Sequence, residues 1–250
     1  MGKKEEIADL FNKQDKSKMK VITEDDLKGL PEPAQRYFRY SGVIGMAPVK
    51  TVSLKQKGFF RMKEGQKMMP MQAEQYYTTN PPSFIWYGEI TPIPLISIKA
   101  RDMFVNGKGS MLIKLLGLFK VGENCGIEMA QAALTRYLSE TIWFPTALLD
   151  ESVSWTPVDT NSAKVIIEYA GIKASGLFYF DSKGQLKNFT TERYQVEGNA
   201  LILRPWSTPI EAYKEINNLN IPYRGDAVWH LDGREFKYIE VEITELKYTL

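Results

Sequence analysis

Two groups of side chains in this 250-residue chain have types and spacing that can do chemistry. The first is Arg224, Asp226 and His230. On a β-strand, residues two apart share a face, so these three project the same way, while Tyr223, Ala227, Trp229 and Leu231 project the other. His230 is the one histidine of the chain. An imidazole beside a carboxylate is a general base with an orienting partner. Two strand steps separate Asp226 from His230, which is long for a direct hydrogen bond, and charges on one strand face ordinarily mark solvent. Cys125, the one cysteine, would gain acidity at the start of a helix, where the dipole favours a thiolate. Cys125 with His230 would then make a nucleophile and base. No nucleophile-elbow pattern accompanies it, so the plainer reading is a small packing residue. The second group is Arg136 and Glu140, one helical turn apart and able to pair. On a surface the pair only steadies a helix; facing a cavity, it can hold a ligand head group.

The elements that would carry these residues follow from periodicity. Cys125–Asp150 is the one long helical pattern in the middle of the chain, with Asn124 as its expected cap. Ile127, Ala130, Leu134, Tyr137, Leu138 and Thr141 mark an apolar stripe. Glu128, Gln131, Thr135, Arg136, Ser139 and Glu140 lie on or beside the other face. Pro145 disfavours helical geometry at Phe144, so the helix bends or ends there. The apolar block Trp143, Phe144, Leu148 and Leu149 either fills a core or roofs a pocket.

Upstream, Ile7, Leu10 and Phe11 have the spacing of a short amphipathic helix running into a charged linker. Thr23 is placed to cap a second helix by accepting a backbone N–H, and Pro31 and Pro33 open a third that Gly42 ends. From Val49 the period becomes two. Strand patterns VKTVSLKQKGFFRM, KMMPMQAEQYYTT and SFIWYGEI are followed by a hairpin turning at Asn106-Gly107. After the central helix come VSWTPV, AKVIIEYA, IKASGLFYFD, QLKNFTTERYQV, PIEAYKEI, PYRGDAVWHL and FKYIEVEITELKY. Such alternation marks an antiparallel sheet with one buried and one wetter face. Met62, Met68, Met69 and Met71 cluster around one turn, where flexible side chains suit a core or an adaptable binding surface.

Several function classes are excluded or disfavoured. Lys+Arg 32 against Asp+Glu 30 leaves a formal net charge of +2, with no basic footprint for nucleic acid. One cysteine rules out an internal disulfide, and one histidine disfavours a zinc site; no metal or cofactor is expected. There is no βαβα rhythm and no dinucleotide fingerprint. Gly107-Lys108-Gly109-Ser110 lacks phosphate-loop spacing and reads as part of the hairpin. No segment has the apolar length of a membrane span, and the first twenty residues resemble neither signal peptide nor anchor. The cytoplasm is the default expectation, although an anchor lying upstream of this sequence would leave the same pattern.

The segments LPEPAQRYFRYSG, AEQYYTTNPPSFIWYGEI, GKGSMLIKLLGLFKV, RYLSETIWFPTALL, TERYQ, PWSTPIEAY and IPYRGDAVWH together resemble an uncharacterised, mainly bacterial family of unknown function. The resemblance implies no catalytic residue. More loosely, the order of elements and a final G-x-A-x-W strand followed by I-T-E-L-x-Y are similar to lipoprotein-carrier-like half-barrels. That resemblance implies an antiparallel sheet wrapped around a helical lid and an apolar cavity.

The expectation is an α+β fold: N-terminal helices, then a large curved antiparallel sheet with the central helix on its concave face. Residues 1–22 are expected to form a charged helix and linker, and 23–250 a single β-rich domain. The leading function is non-enzymatic binding of an apolar or amphipathic, lipid-like small molecule between helix and sheet. Its expected lining is Trp143, Phe144, Leu148, Tyr137, Trp86 and Trp229, with Arg136 at the head group. The alternatives are a hydrolase or isomerase using His230 with Asp226, Arg224 or Cys125, and a scaffold whose core the helix fills.

Overall fold

Period-two alternation dominates the chain, and most of the chain pairs as strands. The computed structural model describes residues 2–15, 17, 20–198 and 200–250. Lys16, Lys18 and Met19, part of the expected linker, lie outside the described residues. The N-terminal part contains α1 (Lys3–Asn12), a 3-10 turn (Glu24–Leu27) and α2 (Glu32–Ser41). The first strand series is β1 (Thr51–Phe60), β2 (Met69–Thr78), β3 (Ser83–Ile93), β4 (Ile96–Val105), β5 (Lys108–Leu115) and β6 (Phe119–Gly126). The central helix α3 (Ile127–Glu140) follows, extended by 3-10 turns at Thr141–Trp143 and Pro145–Leu149. The second series is β7 (Val153–Asp159), β8 (Ser162–Tyr169), β9 (Ile172–Phe180), β10 (Leu186–Glu197), β11 (Ala200–Ser207), β12 (Ile210–Ile216), β13 (Leu219–Leu231) and β14 (Arg234–Thr249).

These strands form one antiparallel sheet, in the order β6-β5-β4-β3-β2-β1-β14-β13-β11-β10-β9-β8-β7, with β12 also on β13. The first and last strands meet in the middle of it, where β1 pairs β14. Helix α3 packs against β5 and also against β9, which are nine steps apart in that order. Nine steps at about 4.8 Å would separate them by about 43 Å in a flat sheet. A helix about 10 Å wide reaches both only if the sheet curls around it. The hairpin tips of the two wings also touch: a Cβ on Gly107 would stand 2.6 Å from the Ala170 Cβ, and the Phe104 and Tyr169 rings lie 6.2 Å apart. The sheet is therefore a half-barrel with α3 on its concave face. Close approach of α3 to β5 depends on Gly109, where a Cβ would lie 2.4 Å from the Met129 carbonyl oxygen.

Helix α1 packs on the other face of β2 and β3. Glu6 accepts hydrogen bonds from Tyr87 and Arg101 there, side chains of opposite parity to the inward Trp86 and Asp102. Helix α2 closes the core near β8 and β13, with Tyr37 against Phe180 and Phe38 against Trp155.

Local features depart from the sequence expectations or go beyond them. The central helix starts at Ile127, not Cys125, and its cap is Gly126, not Asn124. Residues 119–126 continue as edge strand β6, and Gly126 turns strand into helix at φ 110, a conformation that glycine tolerates. Strand β11 runs through Pro205, where a proline argues against a central strand. Only Trp206 and Ser207 of β11 pair with β13, so no ladder bond is required on that side of Pro205. Thr23 caps the 3-10 turn at Glu24–Leu27 as expected, and its hydroxyl and its backbone N–H both donate to Asp26, each at 2.7 Å. Finally, the polar face of α3 is not solvated: Thr135, Ser139 and Glu140 are buried, whereas Ile127 is exposed. A helix enclosed by a curled sheet has neighbours on nearly every side, so its polar stripe must be satisfied internally.

Candidate functional site

Strand register sets the floor of the site. Gln75 on β2, Trp86 on β3 and Asp102 on β4 are direct cross-strand partners, so three concave-face side chains stand abreast. Trp86 lies flat along its strand because Gly88 leaves room: a Cβ there would be 2.0 Å from the indole ring. The Trp86 Nε1–H donates to Gln56 Oε1 at 3.0 Å. Gln56 lies beside a bulge between β1 and β14, the kind of irregularity that re-aims a side chain.

Above this floor, Arg136 descends from α3. Its Nη1 donates to Asp102 Oδ2 and its Nε to Glu140 Oε1, both at 2.8 Å. The guanidinium carbon stands 4.9 Å from the centre of the Trp86 ring, within cation–π range. Gln75 and Tyr77 donate to Glu140 Oε2 at 2.7 and 3.0 Å. Burial by itself disfavours the charge on Arg136, but Glu140 and Asp102 outweigh it and hold the guanidinium above its usual pKa. Burial raises the Tyr77 phenol well above its ordinary value, so Tyr77 stays protonated and donates. The Asp102 side chain is fully buried, yet its Oδ1 has no hydrogen-bond partner among the described residues.

A second arginine enters from β10. Arg193 is 8% exposed. Its Nε donates to the Ala132 carbonyl of α3 at 3.0 Å, one turn before Arg136. Its guanidinium stands 4.9 Å from the Trp206 ring centre and 5.8 Å from that of Trp229. The Tyr238 hydroxyl accepts from Trp206 Nε1 at 3.2 Å and from Arg193 Nη1 at 3.5 Å. Tyr238 is the extra residue of a second bulge in β14, opposite Ala227 and Val228.

Between these two arginines and the sheet lies a cavity of about 440 Å³. Met69, Met71, Ile90, Ile98, Ile113 and Ile142 supply apolar wall. Of the residues expected to line it, Trp86, Arg136, Trp143 and Trp229 are on the cavity wall, and Glu140, Arg224 and Asp226 are there as well. Tyr137, Phe144 and Leu148 are not: they are buried in the core, and Phe144 packs on Tyr77 at 4.8 Å and on Tyr137 at 5.8 Å. The apolar block after α3 is thus divided. Trp143 faces the cavity, and Phe144 and Leu148 fill the core.

The other constellation is dispersed. Arg224 pairs with Glu211 at 3.3 Å and Asp226 with Lys237 at 3.1 Å. His230 Nε2 lies 2.8 Å from Ser207 Oγ, and its Nδ1 is 3.9 Å from Glu235. Neither Asp226 nor Arg224 is hydrogen-bonded to His230. Cys125 is exposed on the edge strand β6, opposite Ser110, and so loses the helix-start position that would activate it. Sequence reasoning passed over Ser207, Arg193 and Asp102. For the last two, parity offers a signal: Phe189 marks the inward face of its strand, and Arg193 lies four residues on; Phe104 does the same for Asp102.

The fold and site together define a helix-filled antiparallel half-barrel with a largely apolar cavity that Arg136 and Arg193 enter. The chain belongs to a family described as "Family of unknown function (DUF6544)", whose model matches residues 20–241. No curated protein matches it. Among solved structures, it is similar to a domain named for outer membrane lipoprotein sorting from Vibrio parahaemolyticus, at 8% identity and TM-score 0.45, covering 80% of this chain and 85% of that one. It is also similar to a LolA superfamily protein from Nitrosomonas europaea, at 8% identity and TM-score 0.39, covering 90% and 93%. No helix among the described residues is long and apolar enough to cross a membrane.

Proposed function

We propose that this protein binds an apolar or amphipathic small molecule in the cavity between α3 and the curved sheet, without acting on it chemically. One observation carries the reading: a cavity of about 440 Å³, walled largely by methionine, isoleucine and tryptophan side chains, between α3 and the sheet. Its volume falls within the range of small-molecule sites, roughly 300–1,000 Å³. Thioethers at Met69 and Met71 suit a ligand of variable shape, since methionine adapts to irregular apolar surfaces. The lining in this reading includes Trp86, Trp143 and Trp229. Tyr137, Phe144 and Leu148 act behind it, as the packing that holds the wall. Native mass spectrometry of gently purified protein, with solvent extraction of the bound fraction, tests this. A ligand-sized mass increment is expected. A clean apo mass together with no uptake of a neutral apolar dye such as Nile red would sink the proposal.

A second reading rests on the Ser207–His230 contact at 2.8 Å, a hydroxyl beside an imidazole. It supports hydrolysis less well. Ser207 is buried, and Glu235 is too far from Nδ1 to orient the ring by a direct hydrogen bond. Hydrolysis of p-nitrophenyl esters by the purified protein, abolished by both Ser207→Ala and His230→Ala, would favour this reading over binding alone.

A further inference from the structure

Among the arginines on the cavity wall, Arg136 and Arg193 differ in what already satisfies them. Arg136 is shared by two carboxylates, Asp102 and Glu140. One cation against two carboxylates leaves a formal negative charge at that end of the cavity. Arg193 has no carboxylate within 4.0 Å among the described residues. Arg204, its cross-strand partner on β11, is matched to Glu197 at 2.9 Å. Arg193 Nε is committed to Ala132, and one Nη1 proton makes a long bond to Tyr238. Nη2 has no hydrogen-bond partner among the described residues, although the residue lines the cavity.

A buried guanidinium without a counter-charge is costly, because low-dielectric surroundings cannot replace the lost hydration. Two tryptophan faces recover part of that cost. They supply no acceptor for the remaining N–H groups. Nearby wall positions carry further unmet polar atoms: Gln195 Oε1 and Thr208 Oγ1 are buried without a partner among the described residues. Gln195 is two residues from Arg193 on the same face of β10, and Thr208 is two residues past Trp206.

We propose that Arg193 is the anion-binding subsite of this cavity, and that the ligand is a single-chain amphiphile whose carboxylate sits on Arg193 with its chain along the methionine and isoleucine wall. This rests on the binding reading above and specifies its head group. A carboxylate fits better than a dianionic phosphate, since Arg193 offers a single positive charge; its forked donors suit either anion, so the charge match decides. The Arg136 end carries excess negative charge and repels the head group, which fixes the ligand's direction.

Displacement of Nile red by laurate and by lauryl alcohol, which share a chain and differ in charge, tests the assignment. Wild-type protein is expected to prefer laurate by about tenfold, the usual scale for one charge-assisted contact. Two variants should bring the preference down towards one. Arg193→Met removes the cation. Gln195→Glu leaves Arg193 in place and neutralises it with a carboxylate on the adjacent same-face position, so it serves where Arg193→Met fails to fold. Equal displacement by laurate and alcohol in the wild type would overturn the Arg193 assignment and leave the cavity reading standing. A laurate preference surviving in a folded variant would also overturn it, since the carboxylate must then be held elsewhere. Failure of the wild type to take up Nile red, laurate or lauryl alcohol would instead remove the cavity reading, and this inference with it.

Discussion

Arg136 and Arg193 meet α3 one turn apart, both rest on tryptophan, and both line one cavity, yet they do opposite work. Arg136 is the centre of a closed network. Asp102, Glu140, Gln75 and Tyr77 arrive from three elements and use most of one another's hydrogen-bonding capacity. Arg193 is the end of an open one, anchored through Nε and Tyr238, with donors left over. Burial alone therefore does not mark a binding residue. What distinguishes the two is whether the protein itself supplies the counter-charge.

This difference predicts unequal stability costs. Arg136→Met leaves two carboxylates buried without their cation and is expected to cost about 3–5 kcal/mol, the usual penalty for breaking a buried pair. Arg193→Met orphans no carboxylate and removes a desolvated charge along with its hydrogen bond, so its cost should stay below about 2 kcal/mol. Urea unfolding of both variants without ligand measures this. Similar midpoints would mean that Arg193 is as structural as Arg136, and the comparison would break.

A smaller effect separates the two tryptophan platforms. Gly88→Ala pushes a methyl group into the Trp86 ring under Arg136, whereas Trp206 and Trp229 stand on β11 and β13. Such overpacking typically costs about 1–3 kcal/mol. Thermal unfolding should show that loss, and the ratio of laurate to lauryl alcohol affinity should be unchanged. A changed ratio would show the two ends of the cavity to be coupled.

Much of the architecture is legible because an antiparallel sheet repeats its rule at every strand: the alternation, the Asn106-Gly107 turn and the proline-opened α2 all follow from local chemistry. Strand β6 was illegible because it is an edge, with Phe119 and Val121 exposed and no buried face to impose a pattern. Residues of α3 show a different limit. Arg136 and Glu140 have the spacing of an ordinary surface pair, and only the curl of the sheet, a long-range property, brings Asp102 and Gln75 to them. Phe144 and Trp143 are adjacent and similarly bulky, so composition could not assign one to the core and the other to the cavity. Arg193 was detectable in principle from the parity set by Phe189. The missing carboxylate was not, because its absence depends on every element that packs nearby.

The smallest effect concerns Asp226, another charged residue on the cavity wall. Burial raises its carboxyl pKa, Lys237 opposes this at 3.1 Å, and the net direction remains upward. An acid whose folded pKa is raised binds its proton more tightly when folded. Its stabilising contribution is fully present below the unfolded pKa and is lost as pH rises through the folded value. Asp226→Asn cannot ionise, so it should flatten this part of the stability curve: little change in acid, and a slight gain relative to wild type at neutral pH. Melting temperatures across that range measure it. A loss at neutral pH would show that the Lys237 pair outweighs burial, making Asp226 a matched charge like Arg136. A gain would place it with Arg193, among the charges on this cavity wall that the protein leaves incompletely compensated.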